Sequence, residues 1–166
     1  MTNRLDNPKT IKLDRMRYAK NVSSSRLTYL AILFNVFYFV SIYESDVGSW
    51  YYRIMIGVSV VYNLLFMLIA FLASEGVKNY KMSYSVLLLA LGAGQIARVF
   101  ILPMQAYQAT IKVGKALQPV MMQNQLIWVI VWLGLSALCC FAAGITGIYR
   151  SRTLAAYKAS LAEQAA

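Results

Sequence analysis

Four long apolar runs dominate this 166-residue chain and limit what it can fold into. The runs cover residues 27–43, 54–73, 82–103 and 126–149. About 20 apolar residues, at ~1.5 Å of rise each, carry an α-helix across the roughly 30 Å hydrocarbon core of a bilayer. Membrane strands are shorter and alternate between two kinds of face, a pattern that these continuous runs lack. We therefore expect an all-α, polytopic membrane protein built as a four-transmembrane-helix bundle.

The composition also favours a membrane protein over a soluble domain. Hydrophobic residues make up 60% of the chain and charged residues 13%, whereas soluble domains carry about 25% charged residues. The chain divides into a basic segment, residues 1–25, a transmembrane domain, residues 26–149, and an alanine-rich tail, residues 150–166. Because alanine is a strong helix former, we expect span four to continue into the tail as a helix.

The net charge of +10 is distributed unevenly between the two sides of the expected bundle. The side with both termini carries Arg4, Lys9, Lys12, Arg15, Arg17, Lys20, Arg26, Lys78, Lys81, Arg150, Arg152 and Lys158. Only Arg53, Lys112 and Lys115 lie on the opposite side. The positive-inside rule then predicts that both termini are cytoplasmic, in a plasma membrane. Because the charges sit in connections and termini rather than on one soluble face, nucleic acid is not an expected partner.

The N-terminal segment is a candidate for contact with the membrane surface. Its basic residues Lys12, Arg15, Lys20 and Arg17 would lie on an amphipathic helix next to the first span. Basic side chains near an anionic leaflet contribute about 1 kcal/mol each, so these four are candidates for contact with anionic lipid. The interpretation that we favour from the sequence is that they only fix the topology. The serines that follow, residues 23–25, are expected to cap span one.

The connection between spans three and four is longer than the others. Met104, Tyr107, Ile111 and Gly114 recur at helical spacing, which predicts a short interfacial helix ending before Pro119. This helix would serve as a lid or docking surface, or as an ordered linker on the lipid boundary.

Polar side chains inside the apolar runs are the main candidates for a functional site. Span three contains Gln95 and Arg98 on one face, and Asn35 and Asn63 lie near the middle of spans one and two. An arginine at membrane depth is costly, so Arg98 should face protein, water or the boundary. It would be a structural anchor paired with Glu44, a snorkelled interface residue, or a contact for an anion, a lipid headgroup or a substrate. The amides would bridge helices or, as the alternative, line a permeation path with Gln95.

Small residues recur at intervals of about four along span four. Ser136, Cys140 and Gly144 form one such series, and Ala143 and Gly147 form a second. Small side chains let helices approach closely in membranes. They therefore predict a packing seam, either inside the bundle or between protomers.

Catalytic chemistry has little support in this sequence. The chain has no histidine and six acidic residues, none of them in the centre of a span, so a general base is hard to nominate. The two cysteines are adjacent within span four, and neither a metal site nor a cofactor is expected. We expect a noncatalytic accessory or interaction subunit that binds membrane lipids, another membrane protein or a second copy of itself. The alternatives are a homo-oligomeric channel or transporter and, third, a lipid-modifying enzyme that uses Glu44 and Arg98.

Overall fold

A computed structural model describes residues 8–42, 50–113 and 116–165. Its elements in chain order are α1 (Pro8–Tyr18), α2 (Val22–Ile42), α3 (Trp50–Lys78), α4 (Met82–Ile101), α5 (Pro103–Gln108), β1 (Thr110–Val113), β2 (Ala116–Pro119) and α6 (Gln123–Ala165). Four of these helices, α2, α3, α4 and α6, are long and apolar enough to cross a membrane. The expected membrane-embedded four-helix bundle is thus confirmed at this level.

The four long helices pack in an up-and-down arrangement. Each contacts two neighbours, in the order α2, α3, α4 and α6 around the bundle. One end carries α1, the α3–α4 turn and the last part of α6, and we call it the basic end. The other end carries α5 and the antiparallel pair β1–β2, and we call it the hairpin end. The bundle therefore places its two described chain ends together, opposite the hairpin.

The turn between α3 and α4 is closed by a Schellman arrangement. The Lys81 amide donates to the Gly76 carbonyl at 3.1 Å, and the Tyr80 amide donates to the Val77 carbonyl at 3.0 Å. Tyr80 takes a left-handed φ of 56°, a conformation in which glycine is the usual residue. This tyrosine is held at the basic end in a conformation that costs roughly 1–2 kcal/mol for an ordinary side chain.

The core lies along the bundle axis in three clusters of buried apolar side chains. Tyr38, Leu102, Met121 and Leu133 belong to the cluster at the hairpin end. The middle cluster includes Ala31, Phe66, Ala70 and Cys140. The cluster towards the basic end contains Ala73, Val77, Leu88 and Ala143. Most of the buried side chains of the cluster at the hairpin end are large, whereas alanines make up half of the buried residues in the other two clusters.

The connection between spans three and four differs from the single interfacial helix expected from the sequence. The helix α5 begins at Pro103 and ends at Gln108. The strands β1 and β2 follow it and pair antiparallel, with Thr110 opposite Pro119. The prediction of helix through Ile111 is therefore wrong, because Thr110, Ile111 and Val113 are β-branched and favour strand. Gly114 lies outside the described residues.

The start of α2 differs from that expected, whereas the end of α6 agrees with the expectation. The helix α2 starts at Val22, so Ser24 and Ser25 lie within its first turn rather than ahead of it. Both are buried and bond to other helices, Ser24 to Thr146 at 2.9 Å and Ser25 to Ser74 at 2.7 Å. The capping role predicted for them is wrong, since their hydroxyls join helices instead. The continuation of span four is confirmed, because α6 runs unbroken for 43 residues.

Candidate functional site

The first candidate site is a polar cluster around Arg98, one turn before the end of α4. Arg98 is 5% exposed and turns into the bundle. Its guanidinium donates from Nη1 to Asn63 Oδ1 at 2.5 Å, and from Nη2 to Ser59 Oγ at 2.6 Å and to the Ser59 carbonyl at 3.1 Å. Hydrogen bonds from a charged donor are about twice as strong as neutral ones. Arg98 thereby ties α4 to α3 at the hairpin half of the bundle.

Aromatic rings cover the same guanidinium. The Tyr38 ring centroid lies 4.2 Å from Cζ of Arg98, and the Tyr62 centroid lies 4.7 Å from it. Both distances are within the range of cation–π attraction, which is stronger when the cation is desolvated. The arginine is therefore stabilised by helices α2 and α3 together.

The sequence-predicted amides meet at this cluster and cross the bundle diagonal. Gln95 of α4 donates from Nε2 to Asn35 Oδ1 of α2 at 3.1 Å, and Arg98 Nη1 lies 3.5 Å from the same oxygen. The structure therefore brings Arg98, Gln95, Asn35 and Asn63 together. Glu44, the remaining predicted member, lies outside the described residues. The geometry of the four that are described is that of bridging side chains between helices.

The predicted packing seam lies between α6 and its two neighbours within the same chain. Ser136 donates to the Ala31 carbonyl of α2 at 2.9 Å. A methyl group added at Gly144 would meet the Ser85 carbonyl of α4 at 2.9 Å, and one added at Gly147 would meet the Ser85 hydroxyl. Cys140 and Ala143, the other members, are fully buried. These positions need small residues because α6 approaches α2 and α4 closely.

A second candidate site lies at the basic end, in a cavity of about 840 Å³ that we call the α1–α6 groove. Its cations are Lys12, Arg15, Lys20 and Arg150, and its apolar wall includes Leu13, Met16, Ile145 and Tyr149. The volume falls within the roughly 300–1,000 Å³ of small-molecule sites. No carboxylate is among the described residues that line it. The groove combines an apolar wall with a cationic rim.

Hydrogen bonds hold α1 and the start of α2 beside α6 and so form this groove. The Tyr157 hydroxyl of α6 donates to Asp14 Oδ1 of α1 at 2.7 Å. Arg150 donates from Nη1 to Asn21 Oδ1 at 2.7 Å. Asn21 also links the start of α2 to the end of α3, because its backbone amide donates to the Lys78 carbonyl at 2.9 Å.

Some residues of each site could be predicted from the sequence, and others could not. Lys12, Arg15 and Lys20 were expected at the lipid surface, but Arg150 and Tyr149 of α6 were not connected to them. At the polar cluster, Ser59, Tyr38 and Tyr62 were missed. The available signal was spacing: Ser59 lies four residues before Asn63 and Tyr38 three after Asn35, so each shares a helix face with a predicted amide.

Comparison with known proteins gives no relative from which residue roles could be transferred: no family model, curated protein or solved structure matches this chain.

Proposed function

We propose that this chain is a noncatalytic integral membrane component that binds anionic lipid at the cytoplasmic surface and acts as an accessory or interaction subunit. The α1–α6 groove carries this proposal. Four cations, Lys12, Arg15, Lys20 and Arg150, lie beside an apolar wall where the bundle meets the membrane boundary. An anionic phospholipid has the complementary construction, a negative headgroup joined to apolar chains.

The apolar wall favours lipid over a soluble anion as the ligand. Ile145 and Tyr149 are exposed by 61% and 73% on the outer face of α6, and they continue the lipid-facing surface of the span up to the cations. A lipid chain lying along this face would place its headgroup among the cations of the basic end. Each basic side chain near an anionic leaflet contributes about 1 kcal/mol, which salt weakens.

The proposal includes the orientation in which both ends of the chain face the cytoplasm of a plasma membrane. Its support is the positive-inside rule applied to the basic end, where α1, Lys78, Lys81 and Arg150 are located. In that orientation, the groove opens towards the leaflet that carries anionic lipid.

Lipid retention tests the proposal directly. We expect the protein released from neutral bilayers containing a minor fraction of phosphatidylglycerol to retain that lipid in native mass spectra. A Lys12→Gln, Arg15→Gln double variant should lose most of the retained phosphatidylglycerol, because two of the four groove cations are gone. A Lys81→Gln, Arg152→Gln double variant is the matched control, since it removes the same charge at the same end but neither residue lines the groove.

Equal lipid retention by the two double variants would contradict the groove as the binding site. Co-isolation of a defined membrane protein, with retention unaffected by lipid, would instead favour a protein partner.

A homo-oligomeric channel or transporter is less well supported, and so is a lipid-modifying enzyme. Arg98, Gln95, Asn35 and Asn63 bond to each other inside a single bundle, and the small residues of α6 pack within the same chain. Arg98 and the amide oxygens of Asn35 and Asn63 therefore bond between helices of one chain, whereas Asn35 Nδ2, Asn63 Nδ2 and Gln95 Oε1 have no partner among the described residues. Glu44, on which the enzyme alternative depends, lies outside those residues.

A further inference from the structure

A second cavity at the basic end, which we call the basic pocket, adjoins the α1–α6 groove. It has a volume of about 410 Å³, and its cations come from three elements: Arg17 of α1, Lys20 after α1, Lys78 of α3 and Lys158 of α6. Like the groove, it has no carboxylate among the described residues that line it. Arg17 and Lys78 each pair with a neighbour outside the lining, Asp14 at 3.7 Å and Glu75 at 2.8 Å.

Ser151 places a buried hydroxyl in the wall of this pocket. It lines the pocket and is 8% exposed, yet its hydroxyl has no hydrogen-bond partner among the described residues. Buried polar groups in native proteins are nearly always bonded. The hydroxyl is enclosed as it stands, and a rotation of the side chain towards the pocket would let it donate to a ligand oxygen.

Tyr80 lies where the two cavities meet. It lines both, together with Ala19 and Lys20. Burial raises the pKa of the Tyr80 phenol, and the nearby Arg150 charge only partly opposes this, so the hydroxyl stays a proton donor at neutral pH. Glycine is the residue that this turn would favour, because the backbone there is left-handed. Tyr80 occupies the position instead and places a hydroxyl donor between the groove and the basic pocket.

We propose that the basic pocket binds the phosphomonoester group of an anionic lipid whose chains lie in the α1–α6 groove. This inference rests on the proposed lipid-binding function and adds the headgroup class. Arg17, Lys20 and Lys158 provide the charge, and Ser151 and Tyr80 provide neutral donors.

A phosphomonoester fits better than a phosphodiester for reasons of charge and geometry. It carries about −1.5 to −2 charges at pH 7 and has three terminal oxygens, whereas a diester carries one charge and has two. The pocket is lined by donor-bearing residues from α1, the α3–α4 turn and α6. Three terminal oxygens can accept from all of them at once, and such charge-assisted bonds are the strong ones.

Three soluble probes separate the parts of this proposal when titrated calorimetrically into the detergent-purified full chain. Dioctanoyl phosphatidic acid has chains and a phosphomonoester, dioctanoyl phosphatidylglycerol has the same chains and a diester, and glycerol 3-phosphate has the monoester without chains. We expect phosphatidic acid to bind about tenfold or more tightly than phosphatidylglycerol, since one charged hydrogen bond is worth about that factor. We also expect it to bind more tightly than glycerol 3-phosphate, which has no chains to bury in the groove.

Two double variants then assign the two cavities. Arg17→Gln with Lys158→Gln removes charge from the basic pocket alone, and Lys12→Gln with Arg15→Gln removes it from the groove alone. All four side chains are exposed, so the fold should be retained. The pocket variant should reduce phosphatidic acid affinity to that of phosphatidylglycerol and leave phosphatidylglycerol affinity unchanged. The groove variant should weaken both lipids.

Two results would overturn the inference. The first leaves the proposed lipid-binding function intact, and the second replaces the lipid with a soluble ligand. If wild-type protein binds both lipids equally, the pocket does not recognise a phosphomonoester, although the proposed function stands. If glycerol 3-phosphate binds as tightly as phosphatidic acid, the ligand is a soluble phosphate ester and the lipid assignment is wrong. Failure of all three probes to bind would count against the proposed function itself.

Discussion

At the scale of single residues, Arg98 is a charged side chain that is buried inside the described bundle. Its guanidinium donates to Asn63 and Ser59 and is covered by the Tyr38 and Tyr62 rings. A buried cation with such partners contributes to stability mainly because its removal leaves the acceptors unsatisfied. The geometry places the side chain inside the bundle, bonded to α3, and the predicted pairing with Glu44 stays a prediction.

Replacing Arg98 with glutamine tests the anchor. We expect the free energy of unfolding in mixed micelles to fall by about 1.5–3 kcal/mol, because Ser59 and Asn63 lose a charged donor. Arg152→Gln, an exposed arginine on α6, is the control and should change it by less than about 0.5 kcal/mol. Unchanged stability of Arg98→Gln together with altered lipid binding would argue for a ligand contact instead.

The sequence identifies a residue of this cluster only when its side chain is of a type that is unusual in an apolar run. Arg98, Gln95, Asn35 and Asn63 were found because a charge or amide at membrane depth needs a partner. Ser59 and Tyr38 were missed, since serine and tyrosine are common in spans and gain significance only from the partner they meet. Ser24 and Ser25 were assigned to a cap because sequence gives a helix start only to within a few residues.

At the scale of elements, α6 organises the bundle. It packs against both α2 and α4, and its small residues set how closely they approach. Gly144 faces the Ser85 carbonyl and the Leu89 side chain, and a methyl group there would lie 2.9 Å and 2.7 Å from them. The repeat of small residues was readable from the sequence, whereas the choice between an internal and an intermolecular seam required the partner helix.

Glycine-to-alanine changes at two positions of α6 should therefore have opposite effects. Gly144→Ala should lower the free energy of unfolding by about 1–3 kcal/mol, because the added methyl overpacks against α4 backbone. Gly134→Ala is the matched control: nothing lies within 4 Å of its added methyl, and alanine favours helix by up to about 1 kcal/mol. Equal effects in thermal unfolding would show that the seam does not limit the approach of α6.

At the scale of the whole molecule, the arrangement places α1, the α3–α4 turn and the tail of α6 at one end, and α5 with β1–β2 at the other. The number and extent of the spans followed from hydropathy, because bilayer thickness sets the length of an apolar helix. The hairpin was not foreseen, since helical and strand spacing are hard to separate in short apolar segments.

Labelling from one side of a sealed membrane tests this arrangement. In a variant with Cys139 and Cys140 replaced by alanine, a Lys158→Cys change should react with an impermeant maleimide only from the cytoplasmic side. Leu117→Cys, at 65% exposure in β2, should react only from the opposite side. Reaction of both from the same side would refute the four-span arrangement, and exchange of the two sides would reverse only the proposed orientation.

The unbroken course of α6 has a mechanical consequence. Its 43 residues give it a length of about 65 Å, roughly twice the thickness of the hydrocarbon core. Its N-terminal part packs against α2 and α4. Its C-terminal part carries Ser151, Tyr157 and Lys158 beyond the bundle. Because α1, the α3–α4 turn and α6 all line the basic pocket, a tilt of α6 within the bundle changes the spacing of the groups around that pocket. A ligand bound across these groups would therefore also restrain the angle at which α6 crosses the membrane.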